Sequence, residues 1–84
     1  MSDNARRHAA KTRAQGQRLE ERARQCEQWA RNYRANHLTG AAMEHERAAA
    51  DMRARGARCF ADADRLLAVS NAAQRRRRER KEAE

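Results

Sequence analysis

Two long stretches of this chain repeat small or apolar residues at alternating steps of three and four. The first runs Ala9, Thr12, Gly16, Leu19, Ala23, Cys26, Ala30, Tyr33 and His37; the second runs Ala42, His45, Ala49, Met52, Gly56, Cys59, Ala63, Leu66, Ser70 and Ala73. That alternation is the seam of an α-helix, because side chains three and four apart stack on one face. Phe60 and Leu67 widen the second stripe, so it can touch more than one neighbour. The pattern predicts two helices, over about residues 5–35 and 40–74.

The two runs meet at Asn36 to Gly40. Asn36 tolerates the left-handed conformation that ends a helix, and His37 beside it can bond the last carbonyls. Thr39 reads as the next N-cap, with Leu38 and Met43 spaced for a hydrophobic staple over a helix starting at Gly40. A connection this short joins antiparallel neighbours. The fold class is therefore all-α, an antiparallel two-helix hairpin.

The stretch around the turn resembles a tetratricopeptide-type helical hairpin, with an aromatic late in the first helix (Tyr33), a large turn residue (Leu38) and small residues at Ala41 and Ala48. The resemblance covers about 20 residues and implies a helix–turn–helix unit. No second copy of the roughly 34-residue period follows, and the family's Gly and Pro positions are unmatched.

Composition agrees with helix and limits the core. The chain has 84 residues, no proline and 39% hydrophobic residues, much of that alanine. Ala, Arg, Glu and Gln favour helix, and strand formers are scarce. Small residues on both seams let backbones approach closely, but a chain of this size with so little bulk needs a partner or another staple. The expectation is a homodimer in which two hairpins form a four-helix bundle, with Trp29, Met52, Phe60 and Leu67 near the shared core. The rival is a long two-helix monomer that folds on a host protein.

Beyond Ser70 the seam degrades into a run of charge. Arg76 with Arg80, and Arg77 with Lys81, repel across one turn. Residues 1–74 therefore read as the hairpin and residues 75–84 as a basic, frayed, solvated tail. Arg6 and Arg7 sit where the helix dipole disfavours cations, so the first turn should fray too.

Candidate chemistry is sparse. His45-Glu46-Arg47-Ala48-Ala49 begins like the zinc motif H-E-x-x-H, but Ala49 stands where the second ligand belongs. Neither Cys26 nor Cys59 has a second ligand at zinc spacing. In an antiparallel hairpin the two cysteines lie about 13 Å apart, beyond bridging distance, so both read as small seam residues, with an intermolecular bridge as the alternative. Gly16, Gly40 and Gly56 are isolated and make no phosphate loop. Two serines and three scattered histidines make no nucleophile–base–acid set. No catalysis, cofactor, metal or small-molecule substrate is expected.

Charge is the remaining signal. The formal net charge is +8 and the pI about 11.1. Arginines outnumber lysines 18 to 2, a bias that a GC-rich gene produces unaided. The densest cluster is Arg75, Arg76, Arg77, Arg78, Arg80 and Lys81, followed by Arg6, Arg7, Lys11 and Arg13. A hairpin brings both clusters to the end opposite the turn. They mark a site for phosphate, salt-sensitive and with little sequence preference. Base readout would need a recognition helix or stacking aromatics, which three aromatics near a core do not supply.

The first expectation is thus a non-catalytic accessory protein that binds nucleic acid or a nucleoprotein complex. The alternative is an adaptor, chaperone or inhibitor of phage or plasmid type that lays a helix face carrying Trp29, Tyr33 and Met43 on an acidic protein surface. Membrane-surface binding ranks third, since no strongly apolar face opposes the arginines. No run reaches a membrane span and Met1 to Arg13 is too charged for a signal peptide, so the cytoplasm is expected.

Overall fold

A computed structural model of the chain describes residues 2–83. Two α-helices, α1 (Ser2–Ala35) and α2 (Thr39–Ala83), pack against each other as an antiparallel hairpin. The molecule is a rod of 72 × 14 × 12 Å. No helix among the described residues is long and apolar enough to cross a membrane.

The seam residues make the contact between the helices. Residues seven apart are buried on both helices: Ala9, Gly16, Ala23 and Ala30 on α1, and Ala42, Ala49, Gly56, Ala63 and Ser70 on α2. Gly16 and Gly56 face each other directly. A Cβ added to either would lie 3.2 Å from the other's carbonyl oxygen, so these glycines permit the close approach at mid-rod. One step toward the turn, Ala23 packs with Ala49, Cys26 and Met52. The same seven-residue step sets Ala30 level with Ala42, and Ala9 level with Ala63. Among the described residues the buried apolar side chains are six alanines, Leu19 and Cys26. The core is thin because its ladder is built from small residues.

At the turn, two expected roles are exchanged. The left-handed residue is His37, with φ 62°, rather than Asn36. Leu38 N–H donates to the Tyr33 carbonyl at 2.8 Å and His37 N–H to that of Arg34 at 3.0 Å. This crossed pair of bonds closes the helix and places the residue before Leu38 in the left-handed region. Asn36 instead donates from its side-chain Nδ2 to the Asn32 carbonyl at 2.9 Å. The second helix begins at Thr39, not Gly40, and the Leu38 carbonyl takes its first hydrogen bond, from Ala42. Leu38 and Met43, the expected staple, both stay about half exposed.

Both outer ends also differ from expectation. Helix α1 starts at Ser2 with Asp3 in its first turn, where a negative charge suits the dipole. Helix α2 runs past Arg75 to Ala83, beyond the expected end near residue 74. Arg, Lys, Glu and Ala are all good helix formers, and Arg80 and Lys81 in the last turn favour the negative end of the dipole. Ser70 is level with the start of α1, so the 13 residues from Asn71 to Ala83 project about 20 Å beyond it.

The rod has two unlike faces. On one, three ion pairs cross between the helices: Arg34 with Glu46, Arg53 with Glu27, and Arg13 with Asp64. Arg34 reaches both Glu46 oxygens, at 2.7 and 2.9 Å. That hydrogen bond holds the Glu46 carboxyl below the usual glutamate range and raises Arg34 above its own. Within single helices, Glu20 and Arg24 approach to 3.9 Å and Asp51 and Arg55 to 4.0 Å, each four residues apart. Glu27 turns instead to Arg53 across the seam, and Arg31 donates to Gln28. The opposite face carries Tyr33, Cys26, Leu19 and Thr12 from α1, with His45, Met52, Cys59 and Leu66 from α2.

Candidate nucleic-acid interface

The hairpin places both basic clusters in the half of the rod away from the turn, but in tandem. Arg6 and Arg7 lie level with residues 65 and 66 of α2, within the two-helix part of the rod. Arg75 stands about 14 Å further out, and the whole set from Arg13 to Lys81 extends over about 33 Å of the axis. They are not side by side, because α2 outruns α1.

Residues 75–83 are all exposed. Between Arg75 and Ala83 there are six basic and two acidic side chains. Successive helical residues turn by 100°, so Arg75, Arg76, Arg77 and Arg78 point to all sides of the helix. The projecting segment is positive all round, with no apolar stripe to bind it to a core. Its helicity rests on propensity and dipole alone, and an isolated stretch this short is marginal in water. A bound polyanion would reinforce it by screening the repulsion between neighbouring arginines.

The N-terminal cluster is partly spoken for. Arg13 Nη2 donates to Asp64 Oδ1 at 2.9 Å, so a phosphate must compete with that carboxylate. Sequence reading missed this pairing, although both residues flank the seams on the same face of the hairpin. Arg6, Arg7 and Lys11 are exposed and remain available to extend a phosphate track from the projecting segment.

The six residues expected at a partner interface divide between the faces. Trp29 and Tyr33 both pack on the His45 ring, at centroid distances of 5.6 and 5.1 Å. Met52 joins Cys26 on that same apolar face. Leu67, however, lines a shallow groove with Arg6 and Arg13, and Phe60, seven residues earlier, shares its side of α2. Met43 also falls on that ion-paired side of α2 by helical position. One flat contact cannot hold all six.

The apolar face has a hollow that sequence reading did not single out. Near the outer end of α1, Ala5, Thr12, Leu66, Val69 and Ala73 line an open groove of about 560 Å³, to which Asp62, Arg65 and Arg77 contribute charged side chains. Val69 is 66% exposed. The signal was present in the spacing, since His8 and Val69 sit one helical turn outside their seams, as Trp29 does.

Among the described residues no three His, Cys, Asp or Glu side chains gather as metal ligands. Both cysteines are free thiols, and Cys59 lies against Gly16, ten residues of α1 away from Cys26, or about 15 Å. Comparison of the chain with protein-family models, with curated proteins and with solved structures finds no match in any of the three.

Proposed function

We propose that this chain is a non-catalytic, homodimeric accessory protein of the cytoplasm that binds nucleic acid through its phosphates, with little sequence specificity. The observation that carries the reading is the projecting end of α2, a helix with arginines on every side and exposed throughout residues 75–83. A single basic helix can lie along or within a groove and reach phosphates on both walls. Arg6, Arg7 and Lys11 extend the contact along the rod. Of the side chains that could stack on bases, Trp29 and Tyr33 pack on His45 near the turn, far from the basic end, and Phe60 is half-buried against Gly16. Affinity then comes from counterion release rather than base recognition.

The test is a salt titration of binding to duplex DNA, single-stranded DNA and RNA of unrelated sequences. The expected result is a linear fall of log K with log salt, of similar slope for different sequences of one type. Replacing Arg75, Arg76, Arg77 and Arg78 together by Gln should flatten the duplex slope by about 3 to 4, because each phosphate contact contributes about 0.9. Binding unchanged by that replacement, or absent near 50 mM salt where phosphate contacts are strong, overturns the reading. In the second case an acidic protein surface becomes the better partner class.

A further inference from the structure

The apolar face of the rod is left open in a molecule that exposes too much surface for its mass. The chain exposes 6797 Å². A compact chain of 9.7 kDa exposes roughly 5100 Å². The difference, about 1700 Å² per chain, is about twice the ~800 Å² that each partner buries in a standard interface. A stable contact therefore needs only part of what this rod exposes beyond a compact fold.

Which face is covered follows from the charges. The three inter-helix ion pairs crowd one face, and burying them would strip water from six charged groups, against the single pair of Arg65 with Asp62 beside the groove on the other face. The other face offers Trp29, Tyr33, His45, Met52, Cys59, Leu66 and Val69. Its two ends differ in shape. Toward the turn, Trp29 stands out, 45% exposed, propped edge-on against His45. Toward the open end lies the groove of about 560 Å³ between Leu66, Val69, Ala5 and Thr12.

We infer that a second copy of this chain covers the apolar face running in the opposite direction, so that Trp29 of each protomer fills its partner's groove. A pair running in the same direction would set bulge on bulge and hollow on hollow. It would also lay two projecting segments together, each with six basic and two acidic side chains, a costly juxtaposition of like charge. The opposed pair avoids both. Seating Trp29 in the partner's groove puts the two-fold axis close to Gly16 and Gly56. The inference rests on the dimer in the proposed function and adds its face and direction.

Sedimentation equilibrium without nucleic acid gives the first readout, and a dimer at micromolar concentration is expected. Val69→Asp places a charge in the groove at an exposed site, so the helices should form as before by circular dichroism while the dimer weakens at least 100-fold. Trp29→Ala should act in the same direction. The second readout is a pulsed electron-spin distance between labels at Thr39→Cys, in chains carrying Cys26→Ala and Cys59→Ala. The opposed arrangement puts the two turns about 50 Å apart, from 1.5 Å of rise per residue; a parallel one brings them within about 20 Å. A monomer in sedimentation refutes the dimer itself. A dimer with the short distance, or one indifferent to Val69→Asp, refutes the face or direction alone. Phosphate binding is decided separately, by the salt titration, with Arg77 shared between the groove and the basic end.

Discussion

Adding one methyl group at Gly16 tests whether the helices are in fact closest at mid-rod. In an exposed helix interior, Gly→Ala gains about 1 kcal/mol from backbone entropy and helix propensity. At Gly16 the new Cβ would lie 3.2 Å from the Gly56 carbonyl oxygen, from Cys59 Cβ and from Phe60 Cζ. The Phe60 ring can swing aside. The other two atoms belong to the body of α2 and yield only if the helices move apart by a few tenths of an ångström. Overpacking of this kind costs about 1–3 kcal/mol, so the net effect is a loss of about 1 kcal/mol. Gly40 is the internal control, with nothing within 4 Å of an added Cβ, and Gly40→Ala should stabilise by up to about 1 kcal/mol. In a chain this short each kcal/mol moves Tm by about 4–8 °C, so thermal unfolding should show shifts of opposite sign. The double change Gly16→Ala with Gly56→Ala should cost less than the two singles together, since the first separation makes room for the second methyl. If Gly16→Ala raised Tm as much as Gly40→Ala, the close approach would not exist.

Four further outcomes follow from the same geometry. His37→Gly should stabilise by about 0.5–1 kcal/mol in chemical denaturation, because glycine meets φ 62° without a Cβ clash. Leu19→Ala removes the largest buried aliphatic side chain and should cost about 2 kcal/mol, the low end of the usual range because a thin core closes over a gap readily. The Glu46 carboxyl is held low by its hydrogen bond from Arg34, so its contribution is present above the ordinary glutamate pKa near 4.3 and is lost as pH falls through the lower folded value. Glu46→Gln should therefore narrow the stability gap between neutral and acid pH, and an unchanged acid midpoint would count against the pair. Asp64→Asn frees Arg13 and removes a negative charge, so duplex affinity should rise and the salt slope steepen by up to about 1.

The seams were legible in the sequence because small residues recur at a strict seven-residue step, and only close-packed helices need that. The seven-residue series from Ala9 to Ala30 and from Ala42 to Ser70 is buried throughout, whereas Thr12, Tyr33, His45, Met52, Cys59 and Leu66 on the alternate steps are half-buried and His37 and Ala73 are exposed. The turn was legible as a place and not as a mechanism. Asn36 and His37 both suit a helix end, and which one turns left-handed depends on where the bond from Leu38 to Tyr33 closes. The extent of α2 was misjudged because repulsion between arginines four apart was weighed above propensity, although each such pair matters by only a few tenths of a kcal/mol. Among the candidate site residues, Arg13 drew Asp64 because side chains reach along the rod as well as across it. The division of Trp29 and Met52 from Phe60 and Leu67 was implicit in their heptad positions. Apolar character alone did not reveal it, since all four border the seam.

The unequal length of the two helices has a consequence for scale. In the opposed two-fold pair inferred above, the basic ends around Arg75 to Lys81 would form the jaws of a caliper about 68 Å apart, from 1.5 Å of rise per residue. That gap is about two turns of B-form duplex, at 34–36 Å each. Both jaws would then meet the same side of the double helix. The shortest fragment expected to engage them together would then be roughly 20 base pairs, and shorter ones would be held at one end only.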